Sequence, residues 1–221
     1  MRKIIGAAFV SLDGVIQAPG GPVEDPTGGF RFGGWLPPVG DDSINNKIGE
    51  LFGRPFDLLL GRRTYDIFAA YWPYAPDEMA DIRDPFDKCT KYVVTHRDTP
   101  LEWRNSVSVT EIEALRDIKH SDGPDLVVQG SSTLYPQLLA ADLLDELILM
   151  ISPIMLGDGK RLFGDGTPPR TLKMTDHSVS DGGNIIVTYQ PVGSVKTGRY
   201  VTGKQSEREQ MRQAAMAEGR W

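Results

Sequence analysis

The chain alternates between short, nearly continuous apolar runs and longer stretches with helical spacing. The apolar runs fall at 3–10, 56–61 (Phe-Asp-Leu-Leu-Leu-Gly), 91–95 (Lys-Tyr-Val-Val-Thr), 125–129 (Asp-Leu-Val-Val-Gln) and 145–152 (Asp-Glu-Leu-Ile-Leu-Met-Ile-Ser). Runs of this length without polar alternation suit strands buried on both faces of a mostly parallel sheet. Between them, 41–52, 63–70, 77–87, 110–118 and 131–140 carry helical spacing, as in Leu134, Leu138 and Leu139, with opening Asp, Ser or Thr residues of the N-cap type. The alternation predicts an α/β domain with helices on both faces of the sheet.

That rhythm breaks after Ile154-Met155-Leu156. A Gly/Asp/Pro-rich stretch at 157–170 precedes two predicted strands, near 171–179 and 184–190, separated by Ser180-Asp-Gly-Gly183. A glycine-containing turn between two such runs signals a hairpin, so the sheet is expected to end in an antiparallel edge. Residues 17–40 are crowded with Gly and Pro yet hold Phe30, Phe32 and Trp35, which predicts a long ordered loop of the kind kept for ligands. From Gly193 the chain turns polar, and 204–218 is rich in helix formers with Met211, Ala214 and Ala215 on one side. The expected division is one domain over 1–192 and a helical extension over 193–221.

Composition narrows the function. With 221 residues, 40% of them hydrophobic, the chain can bury one substantial core. A formal charge of -6 provides no field that attracts polyanions, so nucleic acid is not an expected partner. Cys89 is the sole cysteine, and His96, His120 and His177 are too scattered for a metal-ligand spacing, so no metal is expected and a reducing compartment fits. The apolar run at the start is short and passes into Ser11-Leu-Asp-Gly14 without a small-residue cleavage site, so it reads as a buried strand and not a signal peptide. No stretch approaches the roughly 20 apolar residues needed to cross a bilayer. A cytoplasmic protein without membrane contact is expected.

Three strand ends carry candidate chemistry. Leu58-Leu-Leu-Gly-Arg-Arg-Thr-Tyr65 stops a strand at a glycine and passes almost at once into a helix. Unpaired amides and the positive dipole end of such a helix favour phosphate, and Gly61 permits close backbone approach, with Arg62, Arg63 and Thr64 adding charge and a hydroxyl. Val127-Val-Gln-Gly-Ser-Ser-Thr133 repeats that chemistry at a second junction, where Gly130, Ser131, Ser132 and Thr133 suit a pyrophosphate. Tyr92-Val-Val-Thr-His-Arg97 ends a third strand in Thr95, His96 and Arg97, a cluster suited to a 2′-phosphate and hence to NADP over NAD. Taken singly, each also reads as an ordinary turn: solvated arginines at the first, a plain serine N-cap at the second, a polar surface loop at the third. Gly157-Asp-Gly-Lys-Arg-Leu-Phe-Gly164 begins as Gly-x-Gly but has Leu162 where a third glycine belongs, which disfavours a Rossmann fold. The phosphate-loop and Gly-x-Ser-x-Gly signatures are absent as well.

As an ordered set, Ser11-Leu-Asp-Gly-Val-Ile16, Leu60-Gly-Arg-Arg-Thr-Tyr65, Gly130 and the long motif from Leu143 through Asp145-Glu146, Ser152-Pro153 and Leu156-Gly-Asp-Gly159 to Phe163 resemble the dihydrofolate-reductase-like superfamily. Within it, residues 1–191 are most similar to the C-terminal reductase domain of the bifunctional riboflavin-biosynthesis deaminase/reductase and its stand-alone relatives. The resemblance implies a sheet of about eight strands, NADPH laid across the strand C-terminal ends, and hydride transfer to a pyrimidine, a pterin or a similar ring. Carried over, it implies that Gly61, Arg62 and Thr64 contact cofactor phosphates, that Thr95, His96 and Arg97 lie near the adenosine 2′-phosphate, and that Gly130 to Thr133 flank the pyrophosphate. Ala8, Ile16 and the 17–35 loop, with Trp35, would cover the nicotinamide and substrate. Where many relatives carry two or three glycines, this chain has Gln129-Gly130-Ser131. No zinc-ligand His and Cys motif precedes the reductase region, so a riboflavin role would cover the reduction alone.

Trp35-Leu-Pro-Pro-Val-Gly-Asp41-Asp42 resembles the start of the helix that carries the substrate-facing carboxylate in dihydrofolate reductase. Asp41 or Asp42 is therefore the candidate to bind a ring N–H or relay a proton if burial raises its pKa; each also reads as an N-cap. Asp13 reads both as a turn former and as an active-site neighbour. The expected substrate is 5-amino-6-(5-phosphoribosylamino)uracil or a related heterocycle, with a homodimer as the expected assembly. The alternatives are an NADP-binding module without turnover and a self-associating protein with a vestigial cradle.

Overall fold

The computed structural model describes residues 1–200 and 203–220, so Val201, Thr202 and Trp221 of the expected extension lie outside the described residues. Eight strands form one sheet: β1 (Ile4–Ser11), β2 (Phe56–Gly61), β3 (Lys91–Val94), β4 (Ser106–Val109), β5 (Asp125–Val128), β6 (Glu146–Ser152), β7 (Thr171–Val179) and β8 (Ile185–Gly193). The helices are α1 (Asp42–Phe52), α2 (Arg62–Tyr71), α3 (Ala80–Lys88), α4 (Leu115–His120), α5 (Leu134–Ala140) and α6 (Glu207–Ala217). The strand order is β4-β3-β2-β5-β1-β6-β8-β7. Neighbours run parallel through β6, and β8 pairs antiparallel to both β6 and β7. This is the dihydrofolate-reductase-like architecture that the motifs implied, antiparallel edge included.

Each central strand feeds two cores, because successive side chains point to opposite faces. On one face Ile4, Ala8, Leu59 and Leu149 pack with Leu115 of α4 and Leu134, Tyr135 and Leu138 of α5. On the other, Ile5, Leu58, Leu60 and Met150 pack with Phe52 of α1, Tyr65 of α2 and Phe86 of α3. Strands apolar on both sides are thus covered on both sides, which is why their sequences run without polar alternation.

Four boundaries differ from the sequence pattern. β4 is absent from the apolar runs because Ser106-Val-Ser-Val109 is a short edge strand, held by backbone pairing with β3 and facing solvent along much of its length. The helix expected at 77–87 begins as a 3-10 turn at Asp77–Met79 and becomes α3 only at Ala80. The one expected at 110–118 is likewise a 3-10 turn, Ile112–Ala114, continued by α4 to His120. The helix expected from 131 starts at Leu134, because Ser131–Thr133 form a turn in which the Leu134 amide donates to the Ser131 carbonyl across 3.0 Å. α6 is capped by Ser206, whose hydroxyl accepts from the Glu209 amide, and it buries none of its residues.

One detail of the topology opens a site. β1 pairs with β5 only from Ile4 to Gly6, whereas it pairs with β6 from Ile5 to Ser11. Beyond Gly6 one edge of β1 is therefore free of a strand partner. The gap lies at the carboxyl ends of the parallel strands, where open α/β sheets bind ligands.

Candidate active site

The ends of β2, β3 and β5 meet in one cleft of about 460 Å³. Gly61, Arg62, Arg63 and Thr64 enter from β2 and α2; Thr95, His96 and Arg97 from the end of β3; and Gly130 to Thr133 from the turn after β5. Ile16 closes the side nearest β1. Eleven of the twelve residues expected at a dinucleotide therefore line a single surface, and the twelfth, Ala8, lines the chamber next to it.

Two glycines let the turns close on each other. The Gly61 amide donates to the Gly130 carbonyl across 2.9 Å. A Cβ at Gly61 would stand 3.0 Å from the Ser131 nitrogen, and one at Gly130, whose φ is +133°, would stand 2.7 Å from Thr64 Oγ1. The Gly130–Ser131 peptide bond is cis. Ser131 and Thr133 share a hydroxyl hydrogen bond of 2.8 Å. The start of α2 has no side-chain cap, which leaves its first amides to other acceptors.

The cleft is electropositive. Arg62, Arg63, Arg97 and Lys160 line it against one lining carboxylate, Asp25. Arg62 is committed to Asp66 at 2.7 Å and to the Thr99 carbonyl at 2.8 Å, and Arg97 reaches the same Asp66 at 3.6 Å. Arg63 and His96 make no hydrogen bond or ion pair among the described residues, so their donors are open to a ligand.

A second cavity of about 300 Å³ lies beside the free edge of β1 and shares Ile16 and Gln129 with the cleft. Its walls are mainly apolar and aromatic, with Phe52, Phe68, Trp72 and Phe86 from α1 to α3, and among the described residues its polar side-chain groups are the Asn45 and Gln129 carboxamides and the Trp72 indole N–H. Gln129 Nε2 donates to the Ala7 carbonyl across 3.2 Å, which fixes the carboxamide at the junction of the two spaces.

Residues 2–188 match the RibD C-terminal domain family. The chain belongs to this family. Two Bacillus subtilis proteins resemble it along most of their length: the uncharacterized protein YyaP, 26% identical over 195 residues (85% of this chain, 94% of YyaP), and the uncharacterized protein YwjB, 25% identical over 177 residues (78% and 89%). Solved structures with the same fold include a putative riboflavin biosynthesis protein from Shewanella sp. PV-4, with a TM-score of 0.64 and 21% identity over 86% of this chain and 99% of that one. A pyrimidine reductase-like protein from Corynebacterium diphtheriae has a TM-score of 0.58 and 15% identity, covering 86% of this chain and 92% of its own. Dihydrofolate reductase from Enterococcus faecalis, solved with NADP(H), has a TM-score of 0.54 and 16% identity, covering 86% and 96%.

In this RibD C-terminal domain, the four residues expected at substrate line neither cavity. Asp41 caps α1 by accepting from the Ser43 amide at 3.0 Å, and its other oxygen accepts from Ser180 Oγ at 2.6 Å and Asn184 Nδ2 at 2.9 Å. These bonds, that from Ser180 foremost, drive its pKa down, opposite to the rise a proton relay was expected to need. Asp42 is exposed in the first turn of the same helix. The residues of α1 that line the chamber nearest this end are Ile44 and Asn45, and Asn45 is the polar one. Asp13 ties the turn after β1 to the 154–161 segment, accepting from Ser11 Oγ at 2.6 Å, Leu156 N at 3.1 Å and Gly157 N at 2.8 Å. The Ser11 bond is the main reason its pKa is held at about 2. Trp35 is buried with Val15, Phe30 and Leu156, and its indole N–H donates to the Gln17 carbonyl across 2.9 Å.

Residues that sequence reasoning passed over complete the mouth of the cleft. Gln17 is buried, and its amide donates to the Asp25 and Thr27 carbonyls while its oxygen accepts from the Lys160 amide, each at 2.9 Å. Lys160 Nζ pairs with Asp25 at 2.5 Å and meets Thr27 Oγ1 at 2.6 Å. Lys160 belongs to the Gly157-Asp-Gly-Lys stretch that failed as a glycine fingerprint. Its place at the cleft comes from the antiparallel bridge between Val15 and Arg161.

Proposed function

We propose that this chain is an NADPH-dependent reductase that delivers a hydride to a flat nitrogen heterocycle. The observation that carries the reading is the convergence of three separate strand ends on one electropositive cleft that opens, past Ile16 and Gln129, into an apolar chamber. The residues suit the cofactor. Arg63, His96 and Arg97 present cationic or donor groups for a 2′-phosphate, and the abutting turns at Gly61 and Gly130 offer backbone within reach of a pyrophosphate. When bound, the dinucleotide supplies the hydride.

The protein's own share is placement. Ile16 and Ala8 wall the end at which cleft and chamber join, so a ring lying there meets the chamber and not bulk water. Gln129, held by the Ala7 carbonyl, lies between the two ligand spaces. Among the described residues no titratable side chain lines the chamber, so in this reading the proton accompanying the hydride comes from water. Residues 1–192 are the reductase domain in this reading and 193–221 an extension; the working assembly is a cytoplasmic homodimer, which sedimentation of the purified chain checks.

The test is NADPH consumption followed by absorbance, with 5-amino-6-(5-phosphoribosylamino)uracil as the first acceptor and a panel of pyrimidines and pterins beside it. Turnover with NADPH well above that with NADH supports the proposal. The lack of a titratable group in the chamber favours one second reading, a binding module without turnover. Tight NADPH binding with no consumption for any acceptor would select it.

A further inference from the structure

Two arginines of the cleft share one carboxylate that lies outside it. Arg62 opens α2 and Arg97 follows β3, and both line the cleft. Asp66, one turn along α2, lines instead a separate groove of about 720 Å³ between that helix and the segment from Thr99 to Arg104. One of its oxygens accepts from Arg62 Nε at 2.7 Å, and the other faces Arg97 at 3.6 Å. Among the described residues it is the one carboxylate paired with any of the three arginines of the cleft.

Helix stability does not account for this arrangement. Arg62 and Arg63 stand at the start of α2, where the helix dipole disfavours cations, and no side chain caps that end. An arginine four residues before an aspartate is also the weaker order for an ion pair along a helix. Local rules are broken in this way where a site needs the residues, so the arginines serve the cleft and Asp66 serves their placement.

The two arginines depend on Asp66 to different degrees. Arg62 is 12% exposed and has a second anchor in the Thr99 carbonyl at 2.8 Å. The Arg97 amide donates to Thr95 Oγ1 at 3.1 Å, which fixes its backbone, but its side chain is largely exposed and Asp66 is its one charged partner among the described residues. At 3.6 Å that contact is too long for a hydrogen bond and acts through charge. Without the carboxylate, two cations would repel each other and the long Arg97 side chain would regain its rotamers.

We propose that Asp66 is a positioning residue for the cofactor: it holds the Arg97 guanidinium at the 2′-phosphate end of the cleft and so sets a preference for NADPH over NADH without touching either. The inference rests on the reductase reading for the identity of the cofactor and adds to it a residue outside the cleft. Loss of the Asp66 charge also strengthens the general attraction of the cleft for any dinucleotide, so the ratio of the two affinities carries the effect.

The experiment measures Kd for NADPH and for NADH by calorimetry on the full chain. Asp66→Asn keeps the shape of the side chain and an acceptor for Arg62 but lacks the charge that faces Arg97. It should lower the NADPH:NADH preference about fivefold, the cost of ordering a freed arginine side chain on binding. A merely structural role would weaken both nucleotides together. Arg97→Ala should lower the preference by about tenfold or more. Adding Asp66→Asn to Arg97→Ala should then change it by less than about twofold, because the two residues act through one contact. A preference unchanged or raised in Asp66→Asn, parallel weakening of NADPH and NADH, or the full effect persisting without Arg97 would each overturn the proposal. If the unmutated protein binds neither dinucleotide, the reductase reading fails. If it binds both without preferring NADPH, a reductase remains and the role of Asp66 is overturned.

Discussion

The amide of Gly61 and the carbonyl of Gly130 are joined by a hydrogen bond of 2.9 Å that ties the end of β2 to the end of β5. The two residues are far apart in sequence: Gly61 ends β2, and Gly130 lies in the turn just past the end of β5, at the floor of the cleft. Close contact of the two turns is possible because neither residue carries a Cβ.

Gly61→Ala therefore tests the floor. The added methyl would press on the Ser131 hydroxyl, which can rotate, and would also stand 3.0 Å from the Ser131 backbone nitrogen and 3.1 Å from its Cβ, which cannot. Overpacking of this kind costs about 1–3 kcal/mol, and the cost should appear both as a lower Tm and as NADPH affinity reduced by about tenfold. Unchanged Tm and unchanged Kd by calorimetry would show that the turns do not need the contact.

Arg63 and Arg62 should differ in what they contribute to cofactor binding. Arg62 is engaged by Asp66 and Thr99, whereas Arg63 has no partner among the described residues. Arg63→Ala should lose a charge-assisted contact worth about 1.5–3 kcal/mol, roughly ten- to hundredfold in NADPH Kd, and should flatten the salt dependence of binding. Arg62→Ala should lose less. Equal losses from the two variants would refute the distinction.

The Lys160–Asp25 pair holds the 17–40 loop against the 157–161 segment at the mouth of the cleft. Burial pushes the Asp25 carboxyl up, but Lys160 and Thr27 outweigh it and leave the pKa below the usual value. With Asp25 at 9% side-chain exposure and Lys160 at 29%, Lys160→Ala strands a mostly buried carboxylate. A fully buried pair would cost about 3–5 kcal/mol to break, and partial exposure of the lysine brings the expected loss to about 1–3 kcal/mol. The double variant Lys160→Met with Asp25→Asn should recover most of that loss in a denaturant melt; no recovery would place the effect elsewhere.

Acid sensitivity should trace to carboxylates that staple the loops. Asp13, with a folded pKa of about 2 against 3.8 when free, and Asp41, lowered by Ser180, Ser43 and Asn184, are both depressed on folding. A depressed carboxyl contributes stability that is present above its unfolded pKa and is lost as pH falls through its folded pKa. The chain should therefore lose stability from about pH 4 toward pH 2. Asp13→Asn should make that decline shallower in Tm measured across the same range. Asp41→Asn should lower Tm at neutral pH while leaving NADPH affinity intact, since Asp41 lines neither cavity. A loss of NADPH binding in Asp41→Asn would contradict its placement.

Strand order aside, much of the fold was legible from hydrophobic pattern alone. β1, β2, β5 and β6 are buried on both faces, so their sequences are apolar at nearly every position and stand out against the helices between them. β4 escaped because an edge strand is held by backbone bonds, which leave little mark on side-chain choice. The strand-end clusters at Gly61, Thr95 to Arg97 and Gly130 to Thr133 were visible because their chemistry is local: a glycine, then cations or hydroxyls, directly after a buried run.

What lay beyond local pattern was which residues face a shared space. Asp41 and Asn45 belong to the same helix start, and only the hairpin packed on Asp41 through Ser180 and Asn184 determines that the carboxylate is consumed as a staple while the carboxamide faces the chamber. Lys160 reaches the cleft because one antiparallel bridge brings its segment beside Val15, a contact between residues distant in the chain. Local sequence carries burial and turn chemistry because each residue senses its own neighbours. The gap between β1 and β5, the division of charge between cleft and chamber, and the identity of the residues at the mouth depend on pairings across the whole chain, and those exist only once the sheet has closed.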